Sequence, residues 1–201
     1  MKIICIGRNY VNHAKEMKAS VPSEPLFFMK PDTALFKDRH FYYPDFTQDL
    51  HHEIELVVKI CKMGKHIAPE FAGNYYQEIG LGIDFTARDI QKECKENRHP
   101  WEKAKAFDHS AVISQQFIKK SSITEETPFQ LYKNDHLVQS GCMKDMIFSV
   151  EELIVYVSKF ITLKPGDLLY TGTPAGVGSV EKGDVLVGKI DQSTLFEFDI
   201  R

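Results

Sequence analysis

Residues 49–60 read DLHHEIELVVKI, and this stretch decides how the chain is built. Its second half, Leu56, Val57, Val58 and Ile60, is the apolar run of a buried strand. Its first half carries His51, His52, Glu53 and Glu55. Alternate side chains of a strand share a face, so His51, Glu53 and Glu55 point one way and Ile54, Leu56 and Val58 the other. Glu53 and Glu55 then lie roughly 6–7 Å apart along the strand. Like charges that close repel unless a cation sits between them. A hard divalent ion resolves the conflict, because Mg²⁺ and Mn²⁺ take oxygen ligands. The plainer alternative is the solvated face of a half-buried strand.

Around this strand, the remaining text is mostly short strands. Residues 2–6 form an apolar run ended by Gly7, residues 26–29 a second, and residues 79–85 a third that passes into a helix from about Thr86, with Thr86 and Asp89 spaced as a cap. Residues 9–17 suit one or two helical turns, and residues 68–76 a helix weakened by Gly73. From Ala111 onward strands dominate, and Asn134-Asp135 between alternating segments signals a hairpin. The clearest helix is 149–160: Ser149 and Glu152 form a capping box, and Val150, Leu153, Ile154, Val157 and Phe160 form the apolar stripe. Strands and helices do not alternate regularly, which points to an α+β fold with a largely antiparallel or mixed sheet and few helices, in one domain spanning 1–201.

Composition narrows the partners. The 201 residues are 43% hydrophobic and 26% charged, with 25 basic against 28 acidic side chains and a net charge of −3. That balance gives no reason to expect nucleic acid or an anionic membrane as partner. No apolar run approaches the ~18 residues of a membrane span, and the start MKIICIGRNY lacks the pattern of a signal peptide. Cys5, Cys61, Cys94 and Cys142 are widely spaced, and Cys5 and Cys61 lie in apolar runs. They read as reduced core residues of a cytoplasmic protein.

Three more stretches hold chemistry. In GIDFTARDIQ, Asp84 interrupts an apolar run with no turn signal, and a third carboxylate beside Glu53 and Glu55 would complete a three-oxygen set open to substrate. In GRNYVNHAKEM, His13 and Glu16 are three apart and share a helical face; a Glu bonded to a His serves as a general base, whereas the plain alternative is a surface pair. Arg8 just before them suits a carboxylate. In WEKAKAFDHS, Lys103 and Lys105 are equivalent by composition; either could stabilise an oxyanion, and solvated lysines are the default. The glycine-rich TGTPAGVGSVEKGD has no nucleotide-loop spacing.

Together, GRNYVNHAKEM, FFMKPDTAL, LHHEIELVVKI, DFTARDIQKEC, PWEKAKAFD, MIFSVEELIVYVSKFITLKPGD and YTGTPAGVG resemble, in order and nearly end to end, the fumarylacetoacetate hydrolase family, within it the small acylpyruvase/oxaloacetate decarboxylase branch. The resemblance implies a mixed β-roll, usually a homodimer. It implies Mg²⁺ or Mn²⁺ on Glu53, Glu55 and Asp84, an acid–base dyad of His13 and Glu16 on a lid helix, and Lys105 rather than Lys103 as the active-site lysine. Arg8, Lys30, Gln91 and Thr173 fall where the acid and keto groups of a substrate would lie. The reaction it implies is C–C hydrolysis of acylpyruvate-type 2-keto acids, or decarboxylation of oxaloacetate, through a pyruvate enolate. Isomerase, tautomerase or hydratase chemistry on related dicarboxylates is the alternative, and a non-catalytic metal-binding dimer the alternative of another class. Two positions depart from the pattern: Met143 stands where the branch often has Thr, and Ile83 precedes Asp84 where many relatives have Asn.

Overall fold

The structure, a computed structural model, describes residues 1–16 and 20–201. Its main sheet has eight strands, in the order Leu26–Lys30, Ile3–Gly7, Leu168–Tyr170, Ile54–Ile60, Tyr76–Asp84, Ala111–Ile113 and Leu35–Phe36, with Ile118–Lys119 paired to Tyr76–Asp84. Ile54–Ile60 lies at its middle, antiparallel to both neighbours. Both faces of that strand are buried. Ile54, Leu56, Val58 and Ile60 enter the larger core under the helix Val150–Phe160, while Val57 joins Ile3, Cys5, Ile113 and Tyr170 on the opposite side. The period-two reading therefore holds, and Glu55 shares the face of Val57. The solvated-face alternative fails, because Glu53 and Glu55 are 6% and 1% exposed.

A five-stranded sheet runs His136–Gly141, Phe129–Lys133, Val185–Ile190, Ser193–Ile200 and His40–Phe41. Asn134 and Asp135 form its hairpin turn with positive φ at both positions, 50° and 64°, the geometry of a type I′ turn. A three-stranded sheet joins Gly178–Ser179, Leu50–His52 and Thr86–Ala87. Two segments thus change sheets at one place. The chain leaves Leu50–His52, passes Glu53 and enters Ile54–Ile60; it leaves Tyr76–Asp84, passes Phe85 and enters Thr86–Ala87. The Asp84 N–H donates to the Glu53 carbonyl at 2.9 Å, so the crossings are pinned side by side.

The expected helix at 149–160 forms with its full capping box: Glu152 N–H donates to Ser149 Oγ at 3.3 Å and Ser149 N–H to Glu152 Oε2 at 2.7 Å. Val150, Leu153, Ile154 and Val157 are buried, each contributing on the order of 1.5–3 kcal/mol. Phe160 is not part of the buried stripe; it is 56% exposed and packs on Phe27 and Tyr156 at the rim. The segment expected at 9–17 is helical over Val11–Glu16, and Met17 lies outside the described residues.

Two other expectations are corrected. Thr86 does not cap a helix: it sits in the strand Thr86–Ala87, and the helix starts at Arg88. Asp89 instead bonds its own first turn and the loop before Leu50–His52, through Ile90 N–H, Gln48 N–H and Thr47 Oγ1. Cys61 is exposed just past the end of its strand, not in the core; Cys5 and Cys94 are buried as free thiols, and Met143 packs against the larger core. Among the described residues no helix is long and apolar enough to cross a membrane.

Candidate active site

The two crossings bring Glu53, Glu55 and Asp84 together, one oxygen from each within 4.8 Å of the others, all buried. Three cations answer them. Lys105, on the short helix Glu102–Lys105, places Nζ 2.8 Å from Glu53 Oε2 and 2.7 Å from Asp84 Oδ2. Arg88 Nη2 lies 2.5 Å from Glu53 Oε1. Lys30 Nζ lies 2.7 Å from Asp84 Oδ1, but its directed hydrogen bonds go to the carbonyls of Ser110, at 2.9 Å, and Phe85, at 3.4 Å. Asp84 Oδ1 thus receives charge without a directed hydrogen bond. Among the described residues Glu55 has no cation of its own; its Oε2 accepts from the Gly172 N–H at 2.7 Å.

The electrostatics follow from this wiring. Burial pushes the Glu53 carboxyl up, but Lys105 and Arg88 outweigh it and hold Glu53 below the usual carboxylate range. Burial and the neighbouring Asp84 push the Glu55 carboxyl well up, against the Gly172 N–H. Burial lowers the Lys105 ammonium's proton affinity, but Asp84 and Glu53 more than reverse that and keep it charged.

A divalent ion fits the residues present. The donors are all carboxylate oxygens, as a hard ion prefers. Among the described residues one buried oxygen, Asp84 Oδ1, is left without a directed donor, and Glu55 is left without a cation of its own.

Above the triad lies a cavity of about 60 Å³. Arg8, His13, Gln91 and Thr173 line it, with Phe28 and Trp101 as apolar walls. Arg8 follows the strand Ile3–Gly7 with φ of +60°, an uncommon conformation that re-aims the chain at the cavity mouth. Gln91 Oε1 accepts from Arg88 Nη1 at 2.7 Å and Lys95 Nζ at 3.1 Å, which leaves its amide N–H groups as donors. His13 Nδ1 lies 3.4 Å from Glu16 Oε2. Glu16 is held from behind by the Gly176 N–H, at 3.1 and 3.3 Å from its two oxygens. Of the ten residues singled out from sequence, two are off the cavity wall: Glu16 stands behind His13, and Lys30 beneath Asp84.

The sequence reading missed Arg88, Gly172 and Trp101. Arg88 sits in the quoted motif between Asp84 and Gln91, one helical turn before Gln91, and that spacing was its signal. Gly172 acts through its backbone alone, which side-chain chemistry does not reveal.

The sequence model of the family described as fumarylacetoacetate (FAA) hydrolase C-terminal matches residues 2–200. The chain belongs to the fumarylacetoacetate hydrolase family. It is 41% identical to the mitochondrial oxaloacetate tautomerase of Mus musculus over 202 residues, covering 99% of this chain and 91% of the mouse protein. It is 39% identical to the mitochondrial oxaloacetate decarboxylase of Dictyostelium discoideum over 204 residues, covering 99% of this chain and 93% of that protein. Its fold matches the fumarylpyruvate hydrolase of Pseudomonas aeruginosa, solved in complex with Mn²⁺ and pyruvate, with a TM-score of 0.91 at 38% identity, covering 100% of this chain and 88% of that one. The mixed β-roll with few short helices is thus the fold of family members, as the sequence resemblance implied.

Proposed function

We propose that this enzyme interconverts the enol and keto forms of oxaloacetate or a close 2-keto dicarboxylate. The observation that carries this reading is that His13, and not Glu16, faces the cavity above the acidic triad. Because His13 Nδ1 turns to Glu16, Nε2 is the ring nitrogen left for substrate, and Glu16 orients the ring. Arg8 would bind a carboxylate bidentately, while the Gln91 amide and Thr173 hydroxyl would fix the rest of the acid. Mg²⁺ or Mn²⁺ on Glu53, Glu55 and Asp84 would supply a Lewis acid to the 2-keto group. The buried Lys105 ammonium adds fixed positive charge where an enolate forms. His13 then takes or returns the proton at C3, beside the apolar walls of Phe28 and Trp101. The similarity to the mouse tautomerase supports the same reading.

C–C hydrolysis of acylpyruvates is the second reading, supported by the likeness to the fumarylpyruvate hydrolase. There the His13–Glu16 pair would activate a water against the distal carbonyl, and cleavage would leave the pyruvate enolate beside Lys105. Decarboxylation of oxaloacetate leaves the same enolate without an attacking water. The site would work in a homodimer, which a sedimentation measurement checks.

Carbon accounting separates these readings. Enol-oxaloacetate and acetylpyruvate are supplied in parallel with Mg²⁺, with Mn²⁺ and with EDTA. Faster ketonisation with all four carbons retained supports the tautomerase; pyruvate released from acetylpyruvate, with no effect on ketonisation, moves the assignment to hydrolysis.

A further inference from the structure

Gln139 is 2% exposed on a strand whose neighbour Leu137 is 50% exposed, an inversion of the usual pattern. A bulge causes it. The hairpin register shifts between Leu131 and Tyr132, which pair with Gln139 and Leu137, so Val138 is the extra residue and Gln139 turns inward. There its amide makes four contacts. Oε1 accepts from the Ile54 N–H at 3.0 Å and faces His52 Nδ1 at 2.8 Å. Nε2 donates to the Pro174 carbonyl at 3.0 Å and to Thr173 Oγ1 at 2.9 Å.

Two of those contacts fix the amide's direction. Ile54 N–H can only donate and the Pro174 carbonyl can only accept, so a flipped amide would lose both. His52 Nδ1 must then carry its proton, and the Thr173 hydroxyl must accept from Gln139. Among the described residues nothing accepts from Thr173, which lines the cavity.

We infer that Gln139 is a positioning residue that fixes Thr173 as a hydrogen-bond donor to the substrate carboxylate, in a relay running from His52 through Gln139 to Thr173. The inference rests on the proposed reading that a 2-keto acid occupies this cavity. Gln139→Glu reverses the relay. A carboxylate still accepts from Ile54 and His52, but it takes the Thr173 proton and leaves oxygen lone pairs facing the substrate; it also loses the bond to the Pro174 carbonyl, with or without the threonine hydroxyl.

The test is a double-mutant cycle of Gln139→Glu and Thr173→Val, with Thr173→Ser as the conservative control. Oxaloacetate turnover and calorimetric binding of pyruvate are both measured with Mg²⁺. The expected result is a KM and a pyruvate Kd raised about tenfold or more in Gln139→Glu, with kcat changed far less, and a smaller rise in Thr173→Ser, which keeps the hydroxyl, than in Thr173→Val. In the Thr173→Val background, Gln139→Glu should add distinctly less, the remainder being the lost Pro174 bond that both backgrounds share. An equal penalty with and without the threonine hydroxyl, or a loss confined to kcat, overturns the relay. Wild-type protein that binds pyruvate without turning over oxaloacetate overturns the functional reading and leaves the relay to the binding cycle. Wild-type protein that binds no pyruvate overturns both.

Discussion

The Gly176 N–H donates to the carboxylate of Glu16 across 160 positions of sequence. This bond ties the short helix Val11–Glu16 to the glycine-rich loop after Leu168–Tyr170, and so fixes the ring of His13 over the cavity. Only glycine suits position 176: its φ is +97°, and an added Cβ would lie 2.2 Å from the Val138 carbonyl. Gly176→Ala should push the loop from the hairpin and release Glu16. The expected outcome is a fall of about tenfold or more in kcat/KM, with Mg²⁺ affinity near wild type, read from steady-state kinetics and calorimetry.

Glu55 separates metal binding from fold stability. Among the described residues it makes no ion pair, and burial and the neighbouring Asp84 push its carboxyl well up. Glu55→Gln keeps an acceptor for Gly172 and removes one negative charge. In thermal melts, apo Glu55→Gln should match or exceed the wild-type midpoint, while losing the stabilisation of about 2.7 kcal/mol that a ligand gives at a hundred times its Kd.

Lys105 gives the opposite pattern. Lys105→Met removes the ammonium that Glu53 and Asp84 share but leaves Arg88 on Glu53 and Lys30 on Asp84, so the loss should stay below the ~3–5 kcal/mol of a buried charge left unpaired. Added Mg²⁺ should restore part of this stability but not turnover. Melts with and without metal, beside an oxaloacetate assay, check both halves.

Away from the site, Glu151 accepts from Tyr76 Oη at 2.7 Å and Lys120 Nζ at 2.9 Å. Burial raises its pKa, but these two bonds outweigh it and hold the carboxyl below its ordinary value. A depressed carboxylate contributes stability above the unfolded-state pKa and loses it as pH falls through the folded value. Glu151→Gln should therefore be less stable than wild type at pH 7, by about 1 kcal/mol or less for this half-exposed group, with the gap closing in the acid range. Urea melts at two pH values measure it.

The parts legible in the sequence were those in which local chemistry and burial agree. Ser149 and Glu152 announce a helix start, Asn134-Asp135 a hairpin, and Glu53 and Glu55 a strand face that needs a cation. The features that escaped depend on contacts made across the chain. Nothing local says that the chain changes sheets at Glu53 and again at Phe85, although that double crossing is what sets Asp84 beside Glu53. Gln139 reads as an ordinary strand residue until the bulge at Val138 turns it inward. Cys61 and Phe160 close apolar runs, yet each falls just past the edge of the core.

The most direct test of the account is the ketonisation of enol-oxaloacetate by wild type and by His13→Gln, at saturating Mg²⁺ and against a Mg²⁺-only blank. Wild type should exceed the blank, EDTA should remove the excess, and His13→Gln should lose about a hundredfold or more while binding Mg²⁺ as wild type does. Wild type no faster than the blank, or His13→Gln as fast as wild type, would contradict it.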